Sequence, residues 1–184
     1  MTSPREAARA AAAEALAVDP VSVGREVCLR ALTAAPRSQG ELSQAMRRKG
    51  VPDEAAAEVL LRLSGAGLID DEAFADAWVS SRHQGRGLAR RALAGELQRK
   101  GVDSAVVQAA LSQVDDEDEV VAATALVRRR LAGTAGLPMP ARVRRLTSML
   151  ARKGYSGGVA SRVVRDALGA EAAELLEAAQ QRSL

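Results

Sequence analysis

The chain has 184 residues, 47% of them hydrophobic, which is enough for one large domain or a few small ones; 2% aromatics and no period-two runs of Val, Ile or Thr exclude a sheet-based fold. A net charge of +3 says little by itself about partners, but a single cysteine, Cys28, excludes an internal disulfide and a cysteine-based zinc site. No apolar run approaches the roughly 18–20 residues of a membrane span, and no charged head precedes an apolar core at the N-terminus. The expectation is an all-α protein of the cytoplasm.

Residues 1–22 are Ala-rich with scattered Arg and Glu. Pro4 suits a helix start and Asp19-Pro20 a helix end, but there is little apolar face to bury, so a frayed or disordered, flexible tail is expected. Val23 to Ala35 reads as a helix stopped by Pro36. Ser38-Gln39-Gly40-Glu41 has the spacing of a capping box and opens a helix carrying Leu42, Ala45 and Met46. That helix ends in Arg47-Arg48-Lys49-Gly50. Pro52-Asp53-Glu54 opens the next, with Ala55, Val59, Leu60 and Leu63 facing inward.

Asp70 or Asp71 caps a helix running to about His83, on which Phe74 and Trp78 share a face as core residues. Leu88 to Lys100 forms another helix, stopped by Gly101. Asp103 caps a helix with Val106, Val107, Ala110, Leu111 and Val114. The acidic run Asp115 to Glu119 leads into a helix from Val120 to Leu131, ending in Arg128-Arg129-Arg130, which suits the helix dipole at both ends. Residues 133–140 (GTAGLPMP) read as a linker. Ala141 to Lys153, with Val143, Leu146 and Leu150 apolar, Ser156 to Leu168, and Ala170 to about Gln181 complete the helices.

Aligning on Lys-Gly exposes a repeat. Lys49, Lys100 and Lys153 are the only lysines, 51 and 53 residues apart, each followed by Gly. Leu42 and Met46, Leu93 and Leu97, and Leu146 and Leu150 precede them at equal distances. A helix C-cap accounts for the Gly and for a basic residue, but not for Lys in so Arg-rich a chain. The remaining reading is a repeated contact with an acidic partner. Together these features predict three tandem three-helix, helix-turn-helix-like repeats in an elongated, curved stack: residues 23–83, 84–132 and 141–184, with 133–140 as linker.

Charge is segregated. Between Arg128 and Arg165 there are ten basic residues and no acid; between Arg82 and Lys100 there are six basic residues and one acid, Glu96. Biased codon usage explains such a span less well than it explains single arginines. The pattern points to a polyanion or an acidic surface. Catalysis is unsupported: one His and one Cys lie far apart, and Gly85-Arg86-Gly87 lacks the strand a phosphate cradle needs. Asp115 to Glu119 lacks cation-loop spacing, His83 reads as a capping or surface residue, and no cofactor or metal is expected.

Leu68-Ile69-Asp70-Asp71, Phe74-Ala75, Arg82, Gly85, Gly87, Leu93, Leu97 and Lys100-Gly101-Val102 resemble the signature of the RecX regulatory proteins, and the flanking copies extend the likeness over Val23 to Leu176. The resemblance implies a regulator of the RecA recombinase, built of tandem three-helix repeats. It would bind in the groove of the RecA–DNA filament and inhibit ATPase, strand exchange, coprotease function and filament growth in DNA repair and the SOS response. Some members of the family also touch DNA. The expected mode is stoichiometric and non-enzymatic, by a monomer. The basic face expected to meet RecA or DNA is Arg82, Arg86, Arg90, Arg91, Arg99, Lys100, Arg142, Arg144, Arg145, Arg152 and Lys153. The rival readings are a direct nucleic-acid-binding module and a plain helical scaffold.

Overall fold

The computed structural model describes residues 3–181. Among them there are ten α-helices and one short 3-10 helix, Ala132–Thr134. The helices are α1 (Pro4–Val18), α2 (Pro20–Ala34), α3 (Gln39–Arg48), α4 (Asp53–Gly65), α5 (Asp71–Arg86), α6 (Arg90–Arg99), α7 (Ser104–Leu111), α8 (Asp116–Leu131), α9 (Met139–Arg152) and α10 (Gly157–Gln181).

The starts are set by side chains that satisfy the free first-turn N–H groups. Ser38 Oγ accepts from Glu41 N at 3.2 Å and Glu41 Oε2 accepts from Ser38 N at 3.3 Å, the expected capping box. Asp115 and Asp118 form the same reciprocal pair, so α8 starts at Asp116 and the acidic run is its first turn. Asp70 caps α5 by accepting from Ala73 N at 2.9 Å.

The expectations differ from the fold at four places. Residues 4–18 form a helix rather than a frayed tail: Ser3 and Glu6 make a capping box and Ala propensity is high. None of its residues is buried, and Leu16 packs on the neighbouring core. Asp19 ends α1 and also caps α2, accepting from Ser22 N at 2.9 Å, so the second helix begins at Pro20. The 133–140 linker is partly ordered, with Thr134 buried in the 3-10 turn and α9 starting at Met139. Finally, Gly169 does not divide the last segment. One helix of 25 residues runs through it, because Ala160, Val163, Val164 and Leu168 are buried and outweigh the roughly 1 kcal/mol that an interior Gly costs.

Contacts divide the chain into two compact units. One takes the residues up to Asp76 together with Leu97–Val107; the other takes Ala77–Glu96 together with the residues from Gln108 on. The boundaries fall inside α5, α6 and α7. The first unit is built on Cys28, Leu42, Met46, Val51, Val59, Leu63 and Ile69. The second is built on Val127, Leu146, Leu150, Tyr155, Val163 and Val164 with their neighbours. Each such fully buried Leu, Met or Val contributes roughly 1.5–3 kcal/mol. Leu93, Leu97, Val102, Val107 and Val114, the corresponding positions of the middle copy, are buried too. Val143, expected on the apolar stripe of α9, is instead 40% exposed.

Candidate interaction surface

The three Lys-Gly pairs share one backbone geometry. Gly50, Gly101 and Gly154 all have positive φ, at 82°, 75° and 92°. Val51 N donates to Met46 O, Val102 N to Leu97 O and Tyr155 N to Leu150 O, at 3.1–3.2 Å. Gly N–H groups donate to Arg47, Gln98 and Ala151 carbonyls. This is the six-to-one and five-to-two pattern of a left-handed helix stop, and the residue after Gly buries itself against the residue it bonds.

Two of the stops are also joints. Ser38 Oγ donates to the Lys100 carbonyl at 2.6 Å, and the Cα of Gly40 lies against Gly101. Eleven residues before Lys100, as Ser38 is before Lys49, stands Ala89, whose N–H donates to the Lys153 carbonyl at 3.0 Å; Ala92 lies against Gly154. Each joint is therefore a helix start of one copy docked on the Lys-Gly stop of the next. The first is contained in the first unit and the second in the other.

The lysine side chains serve the joints. Lys100 Nζ donates to Glu41 Oε1 at 2.7 Å and lies 5.5 Å from the Phe74 ring centroid. Lys153 Nζ donates to the Arg86 carbonyl at 2.5 Å, the end of α5. Lys49, the first of the three, is exposed. Burial raises the Glu41 carboxyl pKa, but the Lys100 hydrogen bond, the Ser38 N–H and the charges of Lys100 and Arg37 outweigh it and hold the pKa below the usual value. A lowered folded-state value adds stability above the ordinary carboxylate range, and that stability is lost as pH falls through the folded value. Lys100→Met is expected to cost about 1 kcal/mol at pH 7 and to flatten the acid limb of stability, while Lys49→Met changes neither. Urea titrations at pH 7 and pH 3 check this, and equal costs for the two variants would refute it.

Tyr155 follows the third stop and is buried, its hydroxyl donating to the Gly87 carbonyl at 3.0 Å. Burial and then the Glu119 charge push its pKa up to about 12. Stability therefore falls from about pH 10, where the unfolded phenol ionises, up to about 12. Tyr155→Phe is expected to cost about 1 kcal/mol at neutral pH and to remove its share of that alkaline loss. Parallel denaturation curves at pH 7 and pH 11 measure both.

The predicted basic face separates into two groups. Arg86, Arg91, Arg99, Arg144, Arg145 and Arg152 are exposed. The others are engaged within the protein. Arg82 stacks 4.2 Å from the Trp78 ring centroid, with Nε 3.7 Å from Glu96. Arg90 pairs with Asp116 and Glu119, and its N–H donates to Glu119 Oε1 at 2.8 Å. Lys100 and Lys153 hold the joints. Arg142, expected on the surface, is buried at 8% exposure: Nε donates to Thr134 Oγ1 at 3.2 Å, and a terminal nitrogen lies 2.6 Å from Glu171 Oε2, close but not aligned as a hydrogen bond. Arg129 and Arg130, read from sequence as a helix end alone, are exposed. The acid-free span beginning at Arg128 was the signal that could have placed them in the basic face.

The sequence matches three family descriptions in order: the first RecX three-helix domain over residues 25–63, the second over 70–111 and the third over 116–164. It is 56% identical over 153 residues to Regulatory protein RecX of Streptomyces coelicolor, covering 83% of this chain and 81% of that one. The chain belongs to the RecX family. Regulatory protein RecX of Thermobifida fusca is 54% identical over 151 residues, covering 82% of both chains. The crystal structure of RecX from Lactobacillus salivarius superposes with a TM-score of 0.72 at 19% identity, covering 82% of this chain and 97% of that one, which supports the all-helical RecX fold. The three RecX segments take in α2–α4, α5–α7, and α8 through the first part of α10.

Proposed function

We propose that the chain regulates the RecA recombinase by binding stoichiometrically in the groove of the RecA–DNA filament, restraining its ATPase, strand exchange, coprotease activity and extension. The observation that carries the reading is 56% identity, across most of both chains, to a protein named Regulatory protein RecX. The proposed contacts are the exposed Arg86, Arg91, Arg99, Arg144, Arg145 and Arg152, each contributing about 0.2–1 kcal/mol, so that affinity comes from many weak pairs acting together. Arg82, Arg90, Lys100, Arg142 and Lys153 leave the contact set because they hold the fold. The protein acts as a monomer, without catalysis, in the cytoplasm. Among the described residues no helix is long and apolar enough to cross a membrane.

The test is RecA ATPase on single-stranded DNA with sub-stoichiometric purified protein. Inhibition is expected, and it is expected to weaken in a variant with Arg91, Arg144 and Arg145 reversed to Glu. Indifference of RecA to the wild-type protein would overturn the reading.

A further inference from the structure

The acid-free run that follows Glu119 ends at Asp166, and from there the sign of the charge reverses. Asp166, Ala170, Glu174 and Glu177 recur at helical spacing along one face of α10. The first three line a groove of about 630 Å³ between α8 and α10, within the second unit. Its walls run from Val120 to Leu131 and from Val163 to Glu174, about 16 Å each, or three helical turns. Val120, Leu131, Val163 and Ala167 give it an apolar floor that is continuous with the core beneath. Val121 and Leu175, the next positions along the two walls, are 63% and 62% exposed. Glu171 also lines the groove, but its carboxylate lies against Arg142. Among the described residues, no ion pair engages Asp166, Glu174 or the one base of the lining, Arg128.

We infer that this groove is a docking site for an amphipathic helix of another protein, one that carries Lys or Arg on the side that faces α10. The furrow between two packed helices receives the side chains of a third as a ridge enters a groove. Three turns accommodate apolar anchors at i, i+3 or i+4, and i+7, the spacing by which such helices are read. The acids lie along the α10 wall and Arg128 stands on the α8 wall, so charge complementarity also fixes which side of the occupant is basic. The floor supplies affinity by covering apolar surface that water now touches, with Val121 and Leu175 beside it. The acids supply selectivity, because they repel a phosphate backbone or an acidic helix. None of Arg86, Arg91, Arg99, Arg144, Arg145 and Arg152 lines this groove. The inference therefore goes beyond the filament-regulator reading and does not depend on it.

The test is fluorescence anisotropy of a labelled peptide of Leu and Lys, about 16 residues long and patterned as an amphipathic helix, added to the purified full chain. Saturable binding is expected at low salt. Asp166→Asn with Glu174→Gln is expected to weaken it about tenfold. Ala170→Arg places a long base between those two acids and is expected to weaken it at least about 30-fold. The control is Glu14→Gln with Glu54→Gln in the first unit, which removes the same charge from exposed positions and is expected to change nothing. Asp166, Ala170 and Glu174 are exposed too, and circular dichroism checks that helicity is kept. Glu171 is left untouched because it holds Arg142. The site is overturned if the wild type does not bind, or if the two double variants behave alike. It is also overturned if a Leu and Glu peptide of the same pattern binds as tightly, which would leave apolar adhesion alone, or if oligolysine of equal charge does, which would leave charge alone. Sedimentation of the chain by itself tests the remaining occupant: dimers that Ala170→Arg dissociates would assign the groove to a second copy of the chain and overturn the external partner. No arm uses RecA, so failure here leaves the proposed function standing, and indifference of RecA leaves the groove standing.

Discussion

Gly154→Ala is expected to destabilise the protein by about 2–5 kcal/mol, although it adds a single methyl group. Two costs combine. At φ +92° an L side chain crowds its own backbone, at about 1–2 kcal/mol. The new Cβ would also stand 2.7 Å from both the backbone nitrogen and the Cβ of Ala92, so the start of α6 must move off its joint, at a further 1–3 kcal/mol. Gly67→Ala is the control. It has a positive φ of 69° but nothing within 4 Å of the added atom, so only the first cost applies. Gly40→Ala tests the other joint without any backbone strain: its Cβ would meet Gly101 Cα and the Lys100 carbonyl at 2.6 Å, more than cancelling the better helix propensity of Ala. Urea midpoints from circular dichroism should rank Gly154→Ala and Gly40→Ala far below Gly67→Ala. If the three variants are equally stable, the joints contribute nothing.

Glu171→Ala is expected to cost about 3 kcal/mol, because it leaves the buried Arg142 guanidinium with Thr134 as its remaining partner. Glu171→Gln keeps the shape and loses the charge, so it should cost less. Replacing both partners, Glu171→Ala with Arg142→Met, should recover part of the loss, since no charge is then left stranded. A double variant as unstable as the sum of its single changes would mean that the pair is not coupled. The 3-10 turn at Ala132–Thr134 holds its place partly through this arginine, as Thr134 Oγ1 also donates to the Leu131 carbonyl at 2.7 Å.

Much of this was readable from residue order. The Lys-Gly spacing marked three helix stops, and Ser38 with Glu41 marked a helix start, because stops and starts are local and use few residue types. Ser3 with Glu6 was equally readable and was outweighed by the lack of an apolar face. What stayed hidden depended on distant partners. Arg142 sits in a basic span and reads as surface, and the acid that buries it comes 29 residues later, in the following helix. Lys100 and Lys153 read as contact residues because Glu41 and the Arg86 carbonyl become their neighbours only once copies dock. The frame of a repeat is similarly free. The family segments begin one helix before the Lys-bearing helix, whereas the copies read from sequence at 84 and 141 begin with it. A periodic string can be cut at any phase.

The position that seats a stop changes its role in the third copy. Residues Ser38 and Ala89 each seat a following stop, and the third occupant of that position is Arg142. It is turned inward to Glu171 and flanked by exposed Arg144 and Arg145. At the first stop, Lys49-Gly50, it is the Leu16 side chain of α1 that lies against the glycine, 3.2 Å from where a Cβ would stand. Each of the three stops thus has surroundings of its own: Leu16 beside Gly50, Gly40 beside Gly101 and Ala92 beside Gly154, so one backbone geometry serves three different neighbours.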